Sequence, residues 1–209
     1  LQVTVNGATY NVTVGVGGNW SLDTGTATPA SGTLGAFVSG TRYPVTATVT
    51  DTAGTATSDS TTNEVLFDNT APSTPTVNPL VTNDSTPVLT GTANLQAGET
   101  LTVTVNGATY NVTVSAGGTW SLDTGTATPA SGTLGAFVNG TLYPVTATIT
   151  DQANNSTSDS TSNELLFDTT APSAPAGDVA AASDSGSSNT DNLTNDTTPT
   201  IVGTGTPGD

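Results

Sequence analysis

The chain has no cysteine, no histidine and no methionine, and its only basic residue is Arg42. Without cysteine there are no disulfides, thiol nucleophiles or thiolate metal sites. Without histidine and lysine the usual general bases are missing, and with them a Ser-His-Asp route. Seventeen acidic residues stand against that one arginine, a formal net charge of −16. Nucleic acid and anionic membrane surfaces are therefore excluded as expected partners. No apolar run approaches the roughly 20 residues that a membrane-spanning helix needs, so direct membrane insertion is not expected. Leu1 opens the sequence where an initiator methionine would stand, so it reads as a fragment or processed product. What remains is carboxylates and hydroxyls, oxygen ligands suited to hard cations such as Ca²⁺.

Few aromatics and abundant Thr, Gly and Ser are also features of disordered chains, but the apolar pattern is periodic. "SLDTG" at Ser21–Gly25 returns at Ser121–Gly125. A hydrophobic residue before Asp-Thr-Gly, present twice, is the pattern of a two-lobed aspartic protease, in which Asp23 and Asp123 would share a proton. The surroundings give another reason for the recurrence. "LQVTVNGATYNVTV" at Leu1 returns as "LTVTVNGATYNVTV" at Leu101, and the match runs without a gap to "LFDNTAPS" and "LFDTTAPS". The letters recur because the whole unit recurs, and Asp-Thr-Gly reads as a turn after a short strand.

Within the unit the apolar period is two. Leu101, Val103 and Val105 alternate with threonine, Asn106-Gly107 makes a tight turn, and Tyr110, Val112 and Val114 alternate again, which is a hairpin signal. "GGTWSLDT" adds a strand with Trp120 and Leu122 inward, as Trp20 would be in the first copy. "LYPVTATITD" places Tyr143, Val145, Ala147 and Ile149 on one face, and "NELLFD" supplies Leu165 and Phe167. With "TPVLTGTA" from Thr86, six or seven strands and no helix predict an all-β fold of tandem immunoglobulin-like sandwiches joined by short linkers. Leu134 and Tyr143 suggest a tyrosine corner. Pro144 belongs at a strand start, edge or bulge. Residues 124–140 read as a long loop packed through Phe137 and Val138, and "GDVAAAS" as the start of a short helical turn.

The repeat register predicts an incomplete repeat over 1–68 that lacks its opening strand, a stiff linker over 69–82 and a complete repeat over 83–168. An acidic Gly/Ser-rich linker over 169–194 and the opening strand of a further repeat over 195–209 follow. The array reads as part of a longer one.

"VTATITDQANN", "FDTTAPSAP" and "ASDSGSSNTDNLTNDTTPTIVGTGTPGD" resemble the bacterial immunoglobulin-like tandem repeats, the extender region, of giant RTX-type, type I-secreted adhesins. The resemblance covers nearly the whole chain. It implies an extracellular, cell-surface location and a structural extender that projects a distal adhesive domain in attachment and biofilm formation, rigidified by Ca²⁺ at the junctions between neighbouring repeats.

Candidate ligands follow from the expected strand order. Asp68 and Asp168 end their last strands, and Asp84 and Asp196 precede the next opening strands. Glu99 lies in the first interstrand loop, expected at the pole of Asp168, and Asp209 stands in the equivalent place in the tail. Asp151 is expected at the opposite pole, facing the preceding repeat. Asp184 and Asp191 (with Asp178) suggest a second ion-bound loop. Asp59, Asp159, Glu64 and Glu164 read as solvated. No catalytic residue is expected. Besides the spacer, two readings stay open: a carbohydrate-binding module, and a filament or matrix subunit. In the filament the tail "TPTIVGTGTPGD" would add to an unpaired edge of the strand at Leu1 in another copy, giving head-to-tail homo-association.

Overall fold

The computed structural model describes residues 1–188 and 190–206; Asn189 and residues 207–209, including Asp209, lie outside the described part. Among the described residues every regular element is a strand. The first repeat holds β1 (Gln2–Val5), β2 (Ala8–Asn11), β3 (Ser31–Gly32), β4 (Thr41–Tyr43), β5 (Val45–Thr50), β6 (Ala56–Ser58) and β7 (Val65–Phe67). The second begins with β8 (Thr76–Val77), β9 (Leu80–Thr82), β10 (Val88–Thr92), β11 (Thr100–Val105) and β12 (Ala108–Val112). It continues with β13 (Thr119–Asp123), β14 (Ser131–Gly132), β15 (Thr141–Tyr143), β16 (Val145–Thr150), β17 (Ser156–Ser158) and β18 (Leu165–Phe167). A last hairpin pairs β19 (Ala176–Val179) with β20 (Ile201–Thr204).

The second repeat is the complete sandwich. One layer is the five-stranded sheet β14-β12-β11-β16-β17; the other consists of two three-stranded sheets, β13-β10-β8 and β15-β18-β9. Alternation puts Leu101, Val103, Val105, Tyr110, Trp120, Leu122, Val145, Ala147, Ile149 and Leu165 into one core, each at most 4% exposed. The Asn-Gly turns form as expected, with positive φ at Asn106 (42°) and Gly107 (90°), which suits the right-handed strand twist. Pro144 sits between β15 and β16, where the chain passes from one layer to the other and no ladder donor is needed. The tyrosine corner is present: Tyr143 Oη accepts the N–H of Val138 at 2.8 Å. The long loop packs through Ala127, Leu134 and Phe137, whose ring meets Tyr143 edge-on at 4.9 Å. Val138 is exposed instead, because its backbone is turned to the tyrosine.

Several expectations change. Residues 76–82, expected as linker, are strands of the second repeat: β8 pairs with β10, and β9 runs parallel to β18. Of the stretch expected to begin a helical turn, Gly177–Val179 lie in β19, and the turn follows them, with Ala180 O accepting from Ser183 N and Asp184 N. The strand at Leu1 is no edge, since β1 pairs with both β2 and β5. In the complete repeat the opening strand β10 lies in the other layer, between β13 and β8, so among the described residues 19–23 have no strand partner, and β7 lacks the parallel partner that β9 gives β18. The expected solvated acids all accept backbone bonds; Asp59 and Glu64 stay exposed, Asp159 is half-buried and only Glu164 is buried. Glu164 is buried and accepts the Val145 N–H through Oε2 at 3.0 Å; Asp159 accepts the Ala147 N–H at 2.8 Å while its own N–H donates to Ala147 O. Glu64 and Asp59 make the same bonds to Val45 and Ala47. Asp59 and Asp159 extend the β5–β6 and β16–β17 ladders by one residue, whereas Glu64 and Glu164, next to strands of other sheets, reach the first residue of β5 and of β16.

Candidate functional site at the first junction

The "AP" segment after β7 is not a loose tether. Asn155 Nδ2 donates to Asp68 O at 3.1 Å and Thr157 Oγ1 to Pro72 O at 2.9 Å, so the tight turn after β16 and strand β17 hold residues 68–72. Ser73 Oγ adds a bond to Asn94 O at 3.0 Å. Between these contacts lies a cleft of about 620 Å³ lined by Asp68, Gln96, Glu99, Asp151 and Gln152, among others.

Each of the three acids is positioned by its own turn. Asp68 Oδ1 accepts from Thr70 N and Ser39 Oγ, and these bonds, the Thr70 amide first, hold its carboxyl below the usual aspartate value. Asp151 Oδ1 accepts from Ala153 N and Asn155 N, and Oδ2 from Asn155 Nδ2. Glu99 Oε2 accepts from Gln96 N at 2.8 Å. Asn155 thus ties the Asp151 carboxylate to the Asp68 carbonyl, and with it one repeat to the next. Asn155 was missed in the sequence, although comparing "DQANN" with "DTAGT" of the first repeat could have singled it out.

The structure therefore gathers Asp68, Glu99 and Asp151 around one cleft. Glu99 is here and not at the pole of Asp168. Asp84 moves the other way: its N–H donates to Thr82 Oγ1, and Thr82 O accepts from Asp168 N, so Asp84 and Asp168 share the far pole. The cause is β9, which carries the chain along β18 before Asp84 is reached. Asp84 and Asp196 each fold back on a threonine two residues on, Thr86 and Thr198. Asp168 accepts from Thr170 N. Asp184 and Asp191 lie together in the loop between β19 and β20. Asp209 lies outside the described residues.

As a cation site, the cleft offers oxygen donors only, the chemistry that suits Ca²⁺. Arg42 lies elsewhere, on β4 of the first repeat, reaching Asn63 O. Among the described residues no three acids are close enough to form a metal cluster on their own, so carbonyls, amide oxygens and water would have to complete the shell. The donor set fits a weak Ca²⁺ site and no Cys/His metal.

Asp23 and Asp123 do not face one another as a dyad. Each is taken up by its own turn, accepting Gly25 N and Thr26 Oγ1, or Gly125 N and Thr126 Oγ1. Those bonds, the glycine amide first, lower both carboxyls.

Comparison with known proteins agrees with the sandwich. Residues 170–209 match the family model for a bacterial Ig-like domain. Over those residues the chain is similar to a bacterial Ig-like repeat. Such domains are commonly found in extracellular or surface proteins, and their usual role is structural and non-catalytic. The matched stretch starts in the expected acidic linker and contains β19 and β20, the opening hairpin of that repeat. No curated protein matches the chain.

Proposed function

We propose that the chain is a structural extender of a bacterial cell-surface adhesin, its repeats held in line by Ca²⁺ in the junction cleft so that a distal adhesive domain reaches a cell or surface, as in biofilm formation. The observation that carries this reading is the docked "AP" segment, with Asn155 linking Asp151 to Asp68 beside Glu99. A linker bound at several points transmits orientation; a free one does not. Extracellular Ca²⁺ modules bind at about 10⁻⁴ to 10⁻³ M, so the cleft would fill outside the cell, and an ion bound only to the docked state stabilises it by mass action. Small-angle scattering and melting with Ca²⁺ or EDTA test this. A longer maximum dimension and a higher melting temperature with Ca²⁺ are expected; identical values in both would overturn it.

A second reading, a filament of chains joined by strand complementation, is favoured by a separate observation. Among the described residues, 19–23 have no strand partner, and β20, whose sequence "IVGT" parallels "VLTGT" of β10, pairs only with β19. The tail of one copy could take the place of β10 on the next, a head-to-tail join that propagates. Sedimentation at rising concentration tests it: growth that ends when residues 198–209 are deleted supports the filament, and a strictly monomeric chain rejects it.

A further inference from the structure

In the second repeat the strands β8 and β10 receive β13 through a specific fit. Gly91 of β10 leaves room for the Trp120 indole, which a Cβ there would overlap, and Trp120 Nε1 donates to Thr76 O of β8 at 3.1 Å. Leu89, two residues before Gly91, pairs with Leu122 and is 2% exposed. Thr124, just past β13, donates to Pro87 O from its N–H at 3.3 Å and from Oγ1 at 2.9 Å. Tryptophan, leucine and threonine at alternate positions thus meet glycine, leucine and proline of the opening strand.

Both halves of this fit recur in the chain, each apart from the other. The hairpin β19–β20 has the register of β8 on β10: Gly203 pairs with Gly177 as Gly91 does with Val77, and Thr204 with Ala176 as Thr92 does with Thr76. Ala176 O therefore has the place beside Gly203 that Thr76 O has beside Gly91, and a Cβ on either glycine would overlap that oxygen. Ile201 stands for Leu89 but is 64% exposed, and Pro199 stands for Pro87. In the first repeat Trp20 is 41% exposed and Leu22 half-buried, and the bonds of Thr124 have no counterpart at Thr24 among the described residues. Beside Trp20 a cleft of about 450 Å³ opens onto Leu1, Val14, Ala47 and Val49. The counterparts of the last two, Ala147 and Ile149, are core.

We propose that the β19–β20 hairpin of one copy docks on residues 19–24 of a second copy, with the Trp20 indole lying across Gly203 and its Nε1 donating to Ala176 O. Ile201 then packs on Leu22, and Pro199 O accepts from Thr24. The inference rests on the filament reading and deepens it: it names the residues that recognise one another and makes both strands of the hairpin the donor. Among the described residues β8 and β10 already hold β13, which leaves β19–β20 to donate. Within one chain the whole second repeat, with residues 68–72 docked on it, lies between the two halves, so they meet between copies. Glycine is required because only a residue without a side chain lets the strand come against the face of an indole. The indole is the anchor, a large rigid apolar surface with one donor to place.

The test uses two one-sided variants of the full chain, each changed at an exposed residue so that its own fold is kept. Trp20→Ala removes the acceptor and leaves the hairpin; Ile201→Ser weakens the donor and leaves Trp20. In sedimentation the wild type should grow with concentration, and each variant alone should associate at least about thirtyfold more weakly. An equimolar mixture of the two should form dimers and stop there, because only one intact donor meets one intact acceptor. In that mixture the Trp20 indole N–H of a ¹⁵N-labelled Ile201→Ser chain should shift and gain protection from exchange, as a bond to Ala176 O requires. Trp20→Phe, which keeps a ring and loses the donor, should fall between the wild type and Trp20→Ala. If the wild type grows and both variants grow equally well, this fit is overturned and the filament reading stands. A wild type that stays monomeric at every concentration overturns both. A Trp20 indole that is already protected in dilute monomer would place the cover within one copy and reject the second copy as occupant.

Discussion

Residues 1–68 and 101–168 are nearly the same sequence, yet among the described residues the first repeat lacks two strand pairings of the second, β10 on β13 and β9 on β18. "TWSLD" at Thr119–Asp123 is β13, paired residue for residue with β10. "NWSLD" at Asn19–Asp23 forms no strand. Trp120 is 2% exposed and Trp20 41%; Ile149 is fully buried and its counterpart Val49 is 58% exposed. Trp120 lies across Gly91, where any Cβ would overlap the indole and Thr76 O, and its Nε1 donates to that same carbonyl at 3.1 Å. The first repeat has none of these partners among the described residues. The difference shows that β-structure in this sequence is a property of pairing and burial and is not local to the letters.

The largest expected contrast is at the two tryptophans. Trp120→Ala should destabilise the second repeat by about 3–5 kcal/mol, the usual range for emptying a core aromatic site, and Trp20→Ala should change stability by no more than about 1 kcal/mol. Urea unfolding localised by amide exchange checks this, and equal losses would show that the two repeats are equivalent in solution. The contrast should also be reversible. A peptide of residues 84–94, which contains β10, should add to residues 19–23 and bury Trp20. In a Trp120→Phe chain this appears as a blue shift of the remaining tryptophan emission, and no shift at saturating peptide would refute the assignment of 19–23 as the open segment.

A smaller difference is expected at the turns after β5 and β16. Asn155→Ala removes bonds to Asp68 O and Asp151 Oδ2 and should cost about 1 kcal/mol, with faster reorientation of one repeat against the other in ¹⁵N relaxation. Thr55→Ala, the matching change in the first repeat, should do neither. Smallest of all is a response that the repeats should share. Asp23 and Asp123 have carboxyls lowered by their glycine amides. What these bonds contribute is present above the ordinary aspartate value of 3.8 and is lost as pH falls below it, through the lowered folded values. Titrating Gly25 and Gly125 amide shifts through acid should give the same midpoint; a midpoint above 3.8 at either would contradict the turn geometry.

The architecture was legible from alternation, the Asn-Gly turns and the repeat register, since each is a local signal with a local cause. The all-β class, the hairpin β11–β12 and the tyrosine corner follow from it. The acids were harder. Glu164 and Asp159 look like surface residues because the backbone N–H groups they accept, at Val145 and Ala147, lie on another strand. Glu99 and Asp84 exchanged poles because the direction of β9 depends on β18, more than 80 residues away.

By itself the sequence determined where the chain alternates, where it turns and which residues are able to bind a hard cation: Asn106-Gly107 can hardly be other than a turn, and a chain with one arginine must leave most of its acids without ionic partners. Tertiary structure alone decided which copy of one tryptophan is core, which carboxylates line one junction cleft and which ones, Glu164 and Asp184, have a buried oxygen without a donor. Turns need only the torsion preferences of two residues, whereas burial and convergence require a second strand, and its position is set by the whole sandwich.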